Sequence, residues 1–140
     1  MRYAVFLFLV AVGGVAYFLS YQKSLPALTI NGVTIGVVLS KTPEERTQGL
    51  SERGTLPANE GMLFLFDSTD YHAFWMKDMR FPIDIIWIDE SHAIVDIAKN
   101  VLPESFPASF IPSKAARYVL EVNANFVDRN GIAIGDSVRF

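Results

Sequence analysis

The chain has no cysteine. That absence removes disulfide staples, thiol nucleophiles and thiolate metal sites together. Histidine is scarce too: His72 and His92 are the two imidazoles. Neither has a second ligand at a metal-site spacing such as His-x-x-x-His or His-x-Glu, so no metal and no cofactor is expected. Gly-x-Ser-x-Gly, the P-loop and the dinucleotide fingerprint are all missing. Ser113 and Lys114 are adjacent, so in an extended chain their side chains point apart and make no dyad. Positive charge is short: 12 Lys and Arg stand against 15 Asp and Glu, a net charge of −3. Arg2 and Lys23 flank the first segment, which leaves ten basic against 15 acidic residues and a formal charge of −5 for the remainder. An acidic domain with no basic cluster is not built to hold a polyanion, and no nucleic-acid partner is expected.

What the chain does have is an uncharged run from Tyr3 to Gln22. A helix needs roughly 20 such residues to cross a bilayer core. The run is apolar on every face, unlike a helix packed on a globular core. Tyr3, Tyr17 and Tyr21 stand near its ends, where interfacial rings are favoured. Gly14-Val15-Ala16 offers a small-x-small cleavage site, but Tyr17-Phe18-Leu19 carries the apolar run past it. The reading adopted is an N-terminal transmembrane helix, an anchor or uncleaved signal over residues 1–23. It contacts the lipid bilayer through residues 3–22, and the alternative is secretion after cleavage. Arg2 and the terminal amine orient the N-terminus inward. That puts a single-pass protein in the cell membrane with its C-terminal domain on the periplasmic side.

Residues 24–27 read as a linker and 28–140 as one domain, about 115 residues and large enough for its own core. Asn31-Gly32 between Ile30 and Val33 marks a type I′ hairpin. Thr42-Pro43-x-Glu45 is a capping box with proline at the first helical position. Strands are expected over 62–66, 73–76, 83–88, 93–97, 118–122 and 137–140, and a helical turn over 126–129. Pro103 to Pro112, with three prolines, reads as an irregular loop. Many short strands separated by turn signals indicate a mainly β fold, a β-sandwich or barrel with one or two short helices.

From Glu45 onward the residues fall into ordered blocks. They run Glu45-Arg46-x-x-Gly49-Leu50-Ser51-x-Arg53, Gly61-Met62-Leu63-Phe64-x-Phe66 and Phe74-Trp75-Met76-Lys77-Asp78-Met79. Then come Pro82-Ile83-Asp84-Ile85-Ile86, Ile88-Asp89, Tyr118-Val119-Leu120-Glu121-Val122-Asn123 and Gly131-Ile132-x-x-Gly135-Asp136. This set resembles the DUF192 family, also called UPF0127, over nearly all of the domain. The resemblance implies a compact β-rich sandwich, usually behind an N-terminal signal or anchor, and it implies no reaction. Two places depart from the family's usual pattern. Asp78-Met79 stands where Asn-Thr often follows Trp-Met-Lys, and Asn125 stands where glycine is common.

Six residues form the candidate cluster: Arg46, Arg53, Trp75, Lys77, Asp84 and Glu121. Asp84 and Glu121 each interrupt an apolar strand, where an unpaired carboxylate is costly. One reading makes them an acid/base pair in a cleft. The other, favoured here, makes them structural acceptors for backbone N–H groups or for Arg46 or Arg53. On that basis Asp84→Asn and Glu121→Gln are both expected to destabilise the fold. Alternation puts Trp75 and Lys77 on one face and Phe74 and Met76 on the other. Trp75 is expected in the core, against the alternative of a platform for a sugar ring or peptide. Phe106 and Phe110 either rim a groove or pin their loop. No residue is assigned as catalytic. Taken together, the sequence favours a non-enzymatic binding or accessory module of the cell envelope, with an envelope protein or saccharide ligand as partner. An envelope hydrolase or transferase using Asp84 or Glu121 with Arg46 is the alternative. A subunit that stabilises a membrane complex through its anchor is the third reading.

Overall fold

Asn31 and Gly32 have φ of 49° and 78°, so the first turn is the one their sequence calls for. It joins β1 (Ala27–Ile30) to β2 (Val33–Ser40), with Ile30 opposite Val33. The computed structural model describes residues 25–140. The proposed membrane segment lies outside the described residues, and among those described no helix is long and apolar enough to cross a membrane. After β2 comes α1 (Pro43–Gln48). The Thr42 hydroxyl accepts from the Glu45 N–H, and the Glu45 carboxylate accepts from the Thr42 N–H. The connection then returns to lay β3 (Glu60–Asp70) parallel to β2, with Gly36 opposite Glu60 and Ser40 opposite Phe64. Parallel pairing requires such a crossover.

The remaining strands are β4 (Phe74–Trp75), β5 (Ile83–Ile88), β6 (Ile94–Val101), β7 (Ser109–Phe110), β8 (Ala116–Asn123) and β9 (Val138–Arg139), with α2 (Phe126–Arg129) between the last two. Seven of the nine strands make one mixed sheet in the order β6-β5-β8-β3-β2-β1-β9; β4 and β7 make a separate two-stranded ribbon. The fold is mainly β with short helices, as expected. It is a single curled half-barrel sheet with a ribbon on its outer face, instead of two opposed sheets of similar size. The curl brings the two edges together at one end. Ala93 bridges Ser137, Ile94 N–H donates to Asp136 O (2.9 Å) and Val138 N–H donates to His92 O (2.8 Å). Exposed edge backbone is thereby satisfied.

Both faces of the central strands are buried. Inside the curl, Ile86, Ile88, Leu120, Val122 and Leu63 pack with Phe126 and Val127 of α2. Outside it, Ile83, Ile85, Trp87, Val119, Met62 and Phe64 pack under Leu50, Leu56, Met76 and Phe110. Every residue of β5 is buried, Asp84 included. Gly61 shows how tight the centre is: a Cβ there would lie 2.9 Å from the Glu121 carbonyl oxygen and 3.1 Å from Val122 Cγ1.

Asp84 is a structural residue. The β5–β6 register slips between Ile83 and Ile85, opposite Lys99 and Asn100, and Asn100 has φ of 52°. The bulge turns the Asn100 N–H toward Asp84 Oδ1 (2.8 Å), and Oδ2 accepts from the Val127 N–H in the first turn of α2 (2.9 Å). One carboxylate thus fastens a bulge and a helix start to the central strand, using backbone donors in place of the arginine considered from sequence. In Asp84→Asn one of these N–H groups faces an amide NH₂. The loss is expected to be about 1–3 kcal/mol, read as a lower midpoint in urea denaturation with the slope unchanged. A midpoint equal to the parent's would mean these two bonds contribute nothing.

Candidate functional site

The alternation read for β4 holds, but its polarity is reversed. Phe74 and Met76 face inward: Met76 is buried, and Phe74 packs edge-on to Phe64 at 4.9 Å and to Trp87 at 6.2 Å. Trp75 faces out and is 49% exposed. The expectation that Trp75 is core is therefore corrected. The ribbon is two strands of two residues each, with Trp75 opposite Ser109, and among the described residues no further layer covers its outer side. Phe106 meets the indole edge-to-face at 5.6 Å, and the Lys77 ammonium lies 5.8 Å from the ring centroid. Phe110 packs into the outer core while Phe106 stays 42% exposed, so one of these rings pins the loop and the other buttresses Trp75.

Trp75 borders a surface cleft of about 390 Å³, together with Pro43, Arg46 and Thr47 of α1, Phe66 of β3, and Ala73 and Phe74. A smaller cavity of about 30 Å³ shares Arg46, Thr47, Phe74 and Trp75 with it and is closed by Leu50, Ser51, Phe64, Met79 and Glu121. Glu121 sits on β8 between Met62 of β3 and Ile85 of β5. It is 4% exposed, and its Oε2 has no hydrogen-bond partner. Burial pushes its carboxyl from an ordinary value of 4.5 up to about 8, because the ionised form has lost water with nothing in exchange.

Arg46 does not supply that exchange, although it lines the cavity. Its guanidinium donates to the carbonyls of Lys41 and Leu65 (2.8 Å for the latter), stands 3.8 Å from the Asp67 carboxylate, and lies over the Phe66 ring at 5.1 Å. Arg53 is exposed on the far side of α1, bordering a different cleft of about 450 Å³ with Val38, Glu45 and Met62. Asp84 is absorbed by the bulge. Of the two alternatives expected for the carboxylates, Asp84 follows the backbone N–H one; pairing with Arg46 or Arg53 is found for neither carboxylate, and Glu121 Oε2 has no partner of either kind. Of the six candidate residues, the structure brings Arg46, Trp75 and Glu121 together, with Lys77 beside Trp75; Arg53 and Asp84 stand apart. Thr47, Ser51 and Phe66 also line the site and were missed from sequence. Phe66 was findable, since Met62, Phe64 and Phe66 share one face of a strand. His72 stacks on Phe66 at 3.5 Å. Among the described residues, no group of three His, Asp or Glu side chains is placed to hold a metal.

A profile of the DUF192 family, described as uncharacterized ACR, matches residues 27–140. Two solved structures share the fold. A protein of unknown function from Novosphingobium aromaticivorans DSM 12444 is 29% identical at a TM-score of 0.78, over 86% of this chain and 89% of that one. A protein from Sinorhizobium meliloti 1021, described as "a putative transcription regulator", is 32% identical at a TM-score of 0.76, over 84% of this chain and 96% of that one. No curated protein matches the chain.

The unpaired carboxyl has a signature in stability. The unfolded chain ionises Glu121 near pH 4.5 and the folded protein near pH 8. Between those values the folded state holds a proton that the unfolded state has lost. Stability therefore falls as pH rises through this window, by up to about 1.4 kcal/mol per unit, and levels off above it. Glu121→Gln cannot ionise. Against the sequence expectation, it is expected to gain on the parent steadily from pH 5 to pH 8 in denaturant titrations. A gap that stays constant with pH would contradict this assignment.

Proposed function

The chain belongs to the DUF192 family, and we propose that it acts as a membrane-anchored binding module of the cell envelope, presenting the Trp75 cleft to an envelope component. The observation that carries this reading is the half-exposed Trp75. It is held by Phe106 at the mouth of a cleft whose walls are mostly apolar and whose polar groups are few, the general make-up of a ligand site. Exposure alone does not set Trp75 apart, since Tyr71, Ile111 and Ile134 are more exposed; its place at a cleft mouth with a second ring against it does, because tryptophan is enriched among the anchors of binding surfaces. Membrane attachment is supported by the uncharged run from Tyr3 to Gln22, which ends just before the family match begins. Arg2 at its head favours an inward N-terminus and a periplasmic domain. The role of transcription regulator ascribed to the Sinorhizobium protein does not carry over to this reading, because a domain with a net charge of −5 is not built to hold nucleic acid.

One observation favours a second reading, an envelope hydrolase or transferase. Glu121, protonated near neutral pH and lining the same cavity as Arg46, has the character of a general acid. Asp84, the other buried carboxylate among the described residues, is tied to backbone inside the curl and does not pair with it.

The test uses full-length protein in membranes washed with alkaline carbonate, then solubilised and used to capture crosslinked envelope components. The protein is expected to stay with the washed membrane. Trp75→Ala is expected to lose the captured component while changing stability by about 1 kcal/mol or less, well short of the 3–5 kcal/mol of a buried tryptophan. Capture that is indifferent to Trp75→Ala would remove this site from the account, and release of the protein by carbonate would remove the anchor.

A further inference from the structure

Within that binding reading, on which this step rests, the cleft and cavity together specify a ligand class. We propose that the cleft takes a neutral saccharide, one sugar face lying against Trp75 while a hydroxyl-bearing arm enters the small cavity and hydrogen-bonds to Glu121. Three observations converge on it.

The first is size. The cavity of about 30 Å³ has room for one or two water-sized groups. A hydroxyl or hydroxymethyl arm fits such a space; a ring or a phosphate does not. The ring itself belongs in the adjoining cleft of about 390 Å³.

The second is an unanswered polar group. Glu121 is 4% exposed and its Oε2 has no partner, although its side chain borders the cavity. A buried polar atom left without a hydrogen bond costs stability, and a ligand hydroxyl repairs it in either protonation state, as acceptor from the acid or donor to the carboxylate. The charges around the cavity disfavour ions. Arg46 on α1 is the other charged group among the described residues lining it; β3 contributes Phe64, β4 Phe74 and Trp75, the loop after α1 Ser51, and the segment after β4 Met79. A cationic arm would meet the Arg46 guanidinium. An anionic arm would find that guanidinium already engaged by two carbonyls and Asp67.

The third is the aromatic corner. Trp75 and Phe106 meet edge-to-face at 5.6 Å, and the electron-rich indole face suits the slightly positive C–H face of a sugar ring. Lys77, exposed and 5.8 Å from the ring centroid, is loosely enough held to move aside.

Full-length protein in a non-glycosidic detergent is titrated with maltotriose, cellotriose and chitotriose, followed by calorimetry and tryptophan fluorescence. At least one is expected to bind. Its affinity is expected to fall at least tenfold in Trp75→Ala and in Glu121→Leu, and to stay within threefold in Glu121→Gln, which keeps a donor and an acceptor. Parent affinity is also expected to change between pH 6.5 and pH 9 while that of Glu121→Gln does not. Failure of all three sugars to bind, or binding that ignores Glu121→Leu, overturns the proposal. If Trp75-dependent capture of an envelope protein persists while no sugar binds, the occupant is a peptide surface: the binding reading then stands and the saccharide falls.

Discussion

Burial of both faces of the central strands governs this structure. β5, β8 and β3 lie between an inner core plugged by α2 and an outer core covered by the α1 connection and the ribbon. Any polar side chain on these strands must be answered locally or stay unpaired. Two carboxylates are buried there, Asp84 and Glu121, and they are treated in opposite ways. Asp84, on the inner face, receives two backbone N–H groups. Glu121, on the outer face, receives nothing at Oε2 and sits against a cavity that opens toward Trp75. Ser40 Oγ on β2 is also buried without a partner, but Glu121 is the unpartnered group that can ionise and that borders a cavity, and perturbed titratable groups of that kind mark functional sites more often than chance.

The curl explains why the outer face can be used. The edges meet at one end near Ala93 and Ser137, and Phe126 and Val127 of α2 pack into the inner core, so the inner face is filled. Among the described residues the outer face has no second full sheet. Its cover is pieced together from one six-residue helix, a loop and a two-residue ribbon. Pieces of that size leave gaps between them, and the cleft lies in the gap between α1 and β4.

Local signals were well written in the sequence. Asn31-Gly32, the Thr42–Glu45 box, the β5 run and the short helix at Phe126 all appear where their residues place them. Long-range relations were not. The 19 residues from Lys41 to Asn59 form a parallel crossover between β2 and β3, and nothing in their composition distinguishes a crossover from a link between two sheets. The face of Trp75 was legible by alternation; its exposure depended on the narrowness of the ribbon, whose partner strand lies in a proline-rich stretch with no strand pattern. Arg46 looked like a counterion by charge alone. In the fold its donors reach carbonyls of Lys41 and Leu65 before they reach a buried carboxylate. The partner of Asp84 was a bulge, visible beforehand only as asparagines, Asn100 and Asn125, suited to positive φ.

The account turns on one buried carboxyl being a neutral acid. The direct measurement is the carbon resonance of the Glu121 side-chain carboxyl, followed from pH 4 to pH 10 in selectively labelled protein. The account expects a single transition centred near pH 8, well above the ordinary carboxylate value of 4.5. A midpoint in the ordinary carboxylate range would show that the charge is compensated in the folded protein, and the site assigned to Trp75, Arg46 and Glu121 would lose its central feature.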